Sequence, residues 1–247
     1  MMLIKKAIPN LISCMSAFCA FASIYVTIST NFDISVSILL VCLAGFLDGC
    51  DGRVARKLGV FGNFGVQLDS LIDLISFGIA PIFIMFVSFT WKSEPLTFLC
   101  LAFYSVCMAI RLARFNCLAL NPKKTEKMEF LQKNFFIGVP APAGAIILVL
   151  PVIANSIGLV NYNSTTPLLA YILIVALMLV MPFPTFSPKS LRIGFRDITA
   201  TITTFTACSV LAFFIIRPML CLLILFIIYL ASIPFAGLIY RRWVKIL

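Results

Sequence analysis

Five long stretches of this 247-residue chain carry no charged side chain: Leu11–Phe32, Leu74–Trp91, Asn134–Pro188, Ile198–Ile216 and Pro218–Tyr240. Crossing the hydrocarbon core of a bilayer as a helix takes about 20 apolar residues. In lipid the backbone must satisfy its own hydrogen bonds, which leaves helices as the way to use such runs. The chain is therefore read as an all-α, polytopic transmembrane helical bundle. Composition agrees: 62% of residues are hydrophobic and 11% charged, where soluble domains carry roughly a quarter charged. A secreted domain, a cytosolic enzyme and a disordered chain are excluded.

Dividing the chain at its polar breaks predicts about eight spans, near 10–29, 35–56, 65–89, 96–118, 136–156, 167–184, 198–216 and 218–240. The run Asn134–Pro188 must hold two of them, because one continuous helix of that length would measure about 80 Å. The break falls in the turn-forming NSIGLVNYNSTTP. A cytoplasmic N-terminus puts Lys5, Lys6, Arg53, Arg56, Lys57, Arg111, Arg114, Lys123, Lys124, Lys127, Lys133, Lys189, Arg192, Arg196, Arg241, Arg242 and Lys245 inside, and only Lys92 and Arg217 outside. That asymmetry predicts both termini in the cytoplasm and a multi-pass protein of the cytoplasmic (inner) membrane. Met1–Ala7 is expected to lie along the inner surface as a short amphipathic piece. No cleavable signal peptide is expected, since the first segment is long enough to span.

The net charge of +10 would suggest nucleic acid for a soluble protein. Here the basic residues belong to cytoplasmic loops, so membrane lipids are the expected partners and nucleic acid is not. Lys189, Arg192 and Arg196 are expected to face anionic head groups. Nine cysteines without a CxxC pair read as small hydrophobes. With no histidine in the chain, only carboxylates, Lys, Tyr or Cys remain to move protons.

Four of the six aspartates, Asp48, Asp51, Asp69 and Asp73, crowd together at the cytoplasmic ends of the second and third predicted spans. At about 100° per residue, Asp48, Asp51, Gly52 and Ala55 share one stripe, and Gly65, Asp69, Asp73 and Ser76 share another. Antiparallel helices joined by KLGVFGNFG can face these stripes together. Four carboxylates so close would repel one another at a membrane, where each charge is already costly, so a positive group is required. Oxygen-only ligands suit hard cations such as Mg²⁺ or Mn²⁺, and four carboxylates suit two divalent cations. Two-metal sites commonly serve phosphoryl displacement. Gly45, Gly49, Gly52 and Ala55 permit either close helix packing or a flat ligand against the backbone, and Arg56 can bind a phosphate. No Ser, Cys or Lys shares these stripes with the acids as an embedded nucleophile apart from Ser76 beyond them, so a single displacement with inversion at phosphorus is expected.

The pattern D48-x2-D51-G52-x2-A55-R56-x8-G65-x3-D69-x3-D73 resembles the complete signature of the CDP-alcohol phosphatidyltransferases. The resemblance implies that a CDP-linked lipid donates its phosphatidyl group to an alcohol and releases CMP. It also implies that Asp48, Asp51 and Asp69 hold the two ions, that Asp73 completes the cluster and deprotonates the acceptor, and that Gly52, Ala55 and Arg56 accommodate the cytidine diphosphate. AIPNLIS, FGIAP, RLARFN and FFIGVPAPAGA are similar to the membrane-integral bacterial members that accept serine, which implies CDP-diacylglycerol and L-serine as substrates.

A serine acceptor carries a carboxylate, and Arg111, Arg114 and Asn116 are the expected clamp. Asn10 and Ser13 are expected to touch the nucleotide, with helix capping the alternative for Asn10, and Lys133 to aid phosphate binding. The chain is read as a single domain spanning 1–247, whose catalytic part runs to about position 150. The remainder is expected to be scaffold, with the last two spans as a packing or homodimer surface. Other acceptors (glycerol 3-phosphate, inositol phosphate, choline), a cation transporter and a catalytically silent lipid-binding scaffold are the competing readings.

Overall fold

The computed structural model describes residues 2–29, 33–60, 62–119, 135–162, 164–181, 184–186 and 216–246. Helix α1 (Met2–Ile28) pairs with α2 (Ile34–Leu58). One face of α1 carries Leu11, Met15, Phe18, Tyr25 and Ile28, all exposed; the other buries Ser13, Ser16, Ala20, Ser23 and Thr27. In lipid there is no hydrophobic force to push large side chains inward, so small and hydroxyl residues make the helix contact. Ser16 Oγ donates to the Ala44 carbonyl (2.9 Å) and Ser23 Oγ to the Ser37 carbonyl (2.8 Å), stitching α1 to α2.

The N-terminal residues do not form a separate surface piece. They are helical from Met2 and run into the span without a break, with Pro9 inside the helix. Asn10 is thus an interior helical residue and caps nothing.

Asp33 caps α2, its carboxylate accepting from the backbone N–H of Ser35 and Val36. Gly59, at φ 63°, ends the helix in the left-handed conformation that a side chain would oppose. The chain turns into α3 (Asn63–Asp73), which continues through a π-helical turn, Leu74–Ile79, into α4 (Ala80–Val87). Pro81 accounts for the irregularity: it has no N–H to give the Phe77 carbonyl. Helix α5 (Glu94–Ala119) supplies replacements, with Tyr104 OH donating to the Phe77 carbonyl (3.1 Å) and Ser105 Oγ to that of Gly78 (2.6 Å).

Beyond α5 lie a short strand β1 (Phe135–Ile137), α6 (Ala141–Ser156), α7 (Thr166–Val180), a second strand β2 (Pro184–Phe186) and α8 (Pro218–Ile246). The strands pair antiparallel, Phe136 opposite Thr185, so the all-α expectation misses a small ribbon. The predicted helix 136–156 loses its first turn to it. Gly138, at φ 85°, and Pro140 break the helix there, and α6 starts at Ala141. Helix α6 is buried from Gly144 to Ala154 and forms the centre of the core.

Among the described residues, four helical segments are long and apolar enough to cross a membrane: Ala7–Ile28, Ile34–Leu58, Phe64–Val87 and Glu94–Cys117. Ala141–Ser156, Thr166–Val180 and Pro218–Ile233 are apolar but shorter. The predicted span 198–216, apart from Ile216, lies outside the described residues, as do Lys123, Lys124, Lys127, Lys133, Lys189, Arg192 and Arg196.

Candidate active site

The α2–α3 turn brings the two acid stripes face to face. Asp48, Asp51 and Asp69 each present a carboxylate oxygen, and the three oxygens lie within 4.8 Å of one another. Asp48 is the hub, its carboxyl within hydrogen-bonding reach of both Asp69 and Asp73. Asp51 is buried, and the Ser13 hydroxyl of α1 donates to its carboxylate as well as to the Pro9 carbonyl (3.1 Å). Three helices therefore build the cluster, and a hydroxyl stands against the acids from a helix 38 residues away in sequence. The two-stripe expectation did not place it there.

The donor set fits a divalent cation. Every side-chain group in the cluster of Asp48, Asp51 and Asp69 offers a carboxylate oxygen, the ligand type preferred by hard ions over zinc or copper. Mutual repulsion among these acids is relieved when a cation sits between them.

The glycines of α2 divide into two kinds. A Cβ on Gly45 would meet the Phe77 ring at 3.4 Å, so this glycine serves packing. At Gly49 nothing lies within 4 Å of that position, and at Gly52 only the Arg56 guanidinium does, at 4.0 Å. These two keep space open. Gly52 borders a cleft of about 420 Å³, lined also by Pro9, Asn10, Ser13, Asp51, Ala55, Arg56, Val60, Gly62, Phe64, Gly65, Val66 and Asp69. Asn10, Ser13, Gly52, Ala55 and Arg56, all predicted to meet the nucleotide, share its wall. Pro9, Val60, Phe64 and Val66 were not foreseen, because an apolar residue in an apolar chain gives no signal of its own.

The three residues expected to clamp the acceptor separate. Arg111, half-buried on α5, lies in the electrostatic field of Asp73 and donates through Nε to the Val139 carbonyl (2.6 Å). Arg114 is exposed and donates to the Val180 carbonyl at the end of α7 (2.7 Å). Asn116 exchanges hydrogen bonds with Ser70 (2.8 and 3.1 Å), tying α5 to α3 beside Asp69. Residues two, three or five apart on a helix point about 60° to 160° away from each other at about 100° per residue, which is why they reach three different elements.

Comparison with known proteins points to one family. The sequence profile described as CDP-alcohol phosphatidyltransferase matches residues 6–183. The chain is 32% identical over 214 residues to the CDP-diacylglycerol--serine O-phosphatidyltransferase of Mycobacterium leprae, covering 84% of this chain and 67% of that one. It is 32% identical over 181 residues to the Helicobacter pylori protein of the same name, covering 72% of each. A shorter match, 37% over 113 residues, links it to the Methanocaldococcus jannaschii protein so named, covering 46% of this chain and 48% of the relative. With its apolar spans and its aspartate cluster, the chain belongs to the CDP-alcohol phosphatidyltransferase family as a multi-pass membrane member.

Proposed function

We propose that the chain transfers the phosphatidyl group of CDP-diacylglycerol to the hydroxyl of L-serine, giving phosphatidylserine and CMP. The observation that carries this reading is the convergence of Asp48, Asp51, Asp69 and Asp73 beside an open cleft whose wall is glycine, alanine and arginine. The names of the relatives supply the donor and acceptor.

In this reading Asp48, Asp51 and Asp69 hold two divalent cations, Mg²⁺ or Mn²⁺, with Asp73 completing the set. When bound, such ions neutralise a diphosphate and draw charge from the departing phosphate. Arg56 binds the diphosphate from the cleft wall, while Gly52, Ala55, Asn10 and Ser13 leave room for the nucleotide. The serine hydroxyl oxygen attacks the phosphorus of the phosphatidyl group, and the bond from that phosphorus to the CMP oxygen breaks. Asp73 takes the hydroxyl proton, and CMP leaves with the bonding electrons. Arg111, whose charge acts on Asp73, meets the acceptor carboxylate. Arg114 and Asn116 act by holding α5 in place.

The site is assigned to the cytoplasmic face of the inner membrane, with about eight spans and both termini inside. Seventeen of the 19 basic residues support that orientation. The part of the chain beyond about position 150 serves as scaffold and as the homodimer surface. Membranes holding the protein, given CDP-diacylglycerol and each labelled alcohol in turn, should release CMP with serine. Release with glycerol 3-phosphate, inositol phosphate or choline but not serine overturns the acceptor. No release with any of them, together with cation flux across vesicles, favours a transporter.

A further inference from the structure

Helix α8 lies outside residues 6–183, the stretch that marks the family, and the transfer chemistry above makes no use of it beyond scaffold. Its inward stripe is Met219, Leu222, Leu223, Phe226, Tyr229 and Leu230, while Ile224, Leu225, Ile227 and Ile228 are exposed. That is the spacing of one helix face, and it sets α8 against α6 and β2. Tyr229 brings a hydroxyl into this apolar stripe, and its oxygen is buried within the protein. The Phe226 ring stands edge-on to its own, with centroids 6.2 Å apart, which limits where the phenol can point.

A buried phenol often serves the backbone. Tyr104 OH donates to the Phe77 carbonyl (3.1 Å), and Tyr171 OH donates to the Ile147 carbonyl. Tyr229 has another neighbour: together with Asp73 and Tyr104, it acts electrostatically on Arg111. Arg111 is fixed by Nε on the Val139 carbonyl (2.6 Å). The topology accounts for the meeting of Arg111 and Tyr229. Val139 follows β1, β1 pairs with β2, and β2 packs on α8. The ribbon therefore carries the anchor of Arg111 and the helix of Tyr229 to one place.

A guanidinium has five N–H donors. Nε is taken by Val139 and a carboxylate held bidentately takes two more, which leaves donors for a phenol oxygen. Two negative groups compete for the remaining fork, the Asp73 carboxylate and the carboxylate of the acceptor. A fork turned onto Asp73 would occupy the base and leave the acceptor without its cation. Building on the proposed transfer to serine, we infer that Tyr229 is a positioning residue for the acceptor: its phenol oxygen accepts from the Arg111 guanidinium and keeps the fork turned to the serine carboxylate rather than to Asp73. The C-terminal helix thereby takes part in choosing the acceptor.

The test is steady-state CMP release in detergent with Mg²⁺, with serine and CDP-diacylglycerol varied separately. Tyr229→Phe keeps the ring and removes only the oxygen. It should raise KM for serine about 10-fold, the scale of one hydrogen bond to a charged group, and leave KM for CDP-diacylglycerol and thermal stability as in the parent. In an Arg111→Lys background the same substitution should change serine KM less than about twofold, because residues that act as one unit are not additive. Tyr171→Phe, which loses a phenol from a backbone carbonyl, should lower thermal stability and leave serine KM alone. A serine KM in Tyr229→Phe equal to the parent's overturns the inference, as does an undiminished 10-fold rise in the Arg111→Lys background. A rise in both KM values with a fall in thermal stability overturns it too, since that is the mark of packing alone. A parent that releases no CMP with serine contradicts the transfer reading itself, and the inference falls with it.

Discussion

The α2–α3 hairpin has two ends made from the same few residue types, and they do opposite things. At the deep end Gly45 brings α2 against Phe77, and the π-helical turn is held by hydroxyls from α5. At the end near the connecting loop Gly49 and Gly52 face open space, and the hydroxyl of Ser13 is turned on an acid. A glycine is a packing device at one depth and leaves the surface open one or two helical turns later. The difference lies in what stands opposite: an aromatic ring in the first case, open space in the second. Composition cannot separate these roles, since the side chain is the same.

The largest effect expected on this contrast comes from the acids. Asp73→Asn should lower CMP release about 10²- to 10⁴-fold, the usual range for losing a positioned base, while the three-carboxylate cluster of Asp48, Asp51 and Asp69 still binds Mn²⁺. Steady-state turnover and metal titration of the same preparation check both halves; unchanged turnover removes Asp73 from the role of base.

Next in size are the two glycines. Gly52→Leu fills the cleft and should raise KM for CDP-diacylglycerol at least about 10-fold, the scale of losing one good contact, with no fall in thermal stability. Gly45→Leu meets Phe77 and should cost about 1–3 kcal/mol, as overpacking does. Equal loss of stability in both variants would erase the distinction between the two ends.

Arg111→Lys should raise KM for serine about 10-fold, because a lysine cannot reproduce the planar fork of the guanidinium at a carboxylate. Arg114→Ala should instead show in thermal stability, through the loss of its bond to the Val180 carbonyl. A matching rise in serine KM for both would restore the paired clamp that the sequence suggested.

The smallest effect should come from Ser13→Ala. A hydroxyl that positions Asp51 is worth about 0.5–1.5 kcal/mol as a hydrogen bond, so turnover should drop several-fold and no more. Chiral phosphate labelling should show inversion. Complete loss of turnover with retention at phosphorus would make Ser13 a covalent nucleophile.

The acid cluster was legible in the sequence because polar residues stand out sharply in an apolar chain, and helical periodicity then puts them on facing stripes. The spans around it were legible for the same reason, nearly to the ends of α2 and α5. Other features left weaker marks. The ribbon joins Phe135–Ile137 to Pro184–Phe186, segments far apart in sequence, and strands this short have no period to detect. The π-helical turn follows from Pro81, but which carbonyls it frees and which hydroxyls meet them depends on the placement of α5. Arg111 and Arg114 looked like a pair because both are cations on one helix; their carbonyl partners lie 28 and 66 residues away. Phe64 and Val60 were invisible as site residues, since the cleft that gives them meaning is a property of three helices together.

Asp48 lies within hydrogen-bonding reach of both acids of α3, so it tests the metal site more directly than any other residue. Electron paramagnetic resonance of Mn²⁺ titrated into the detergent-solubilised protein should show two bound ions per chain in the parent, and weakened binding with loss of at least one ion in Asp48→Asn. Mn²⁺ binding that is absent from the parent, or that is unaltered in Asp48→Asn, would contradict a cation site built by the α2 and α3 aspartates.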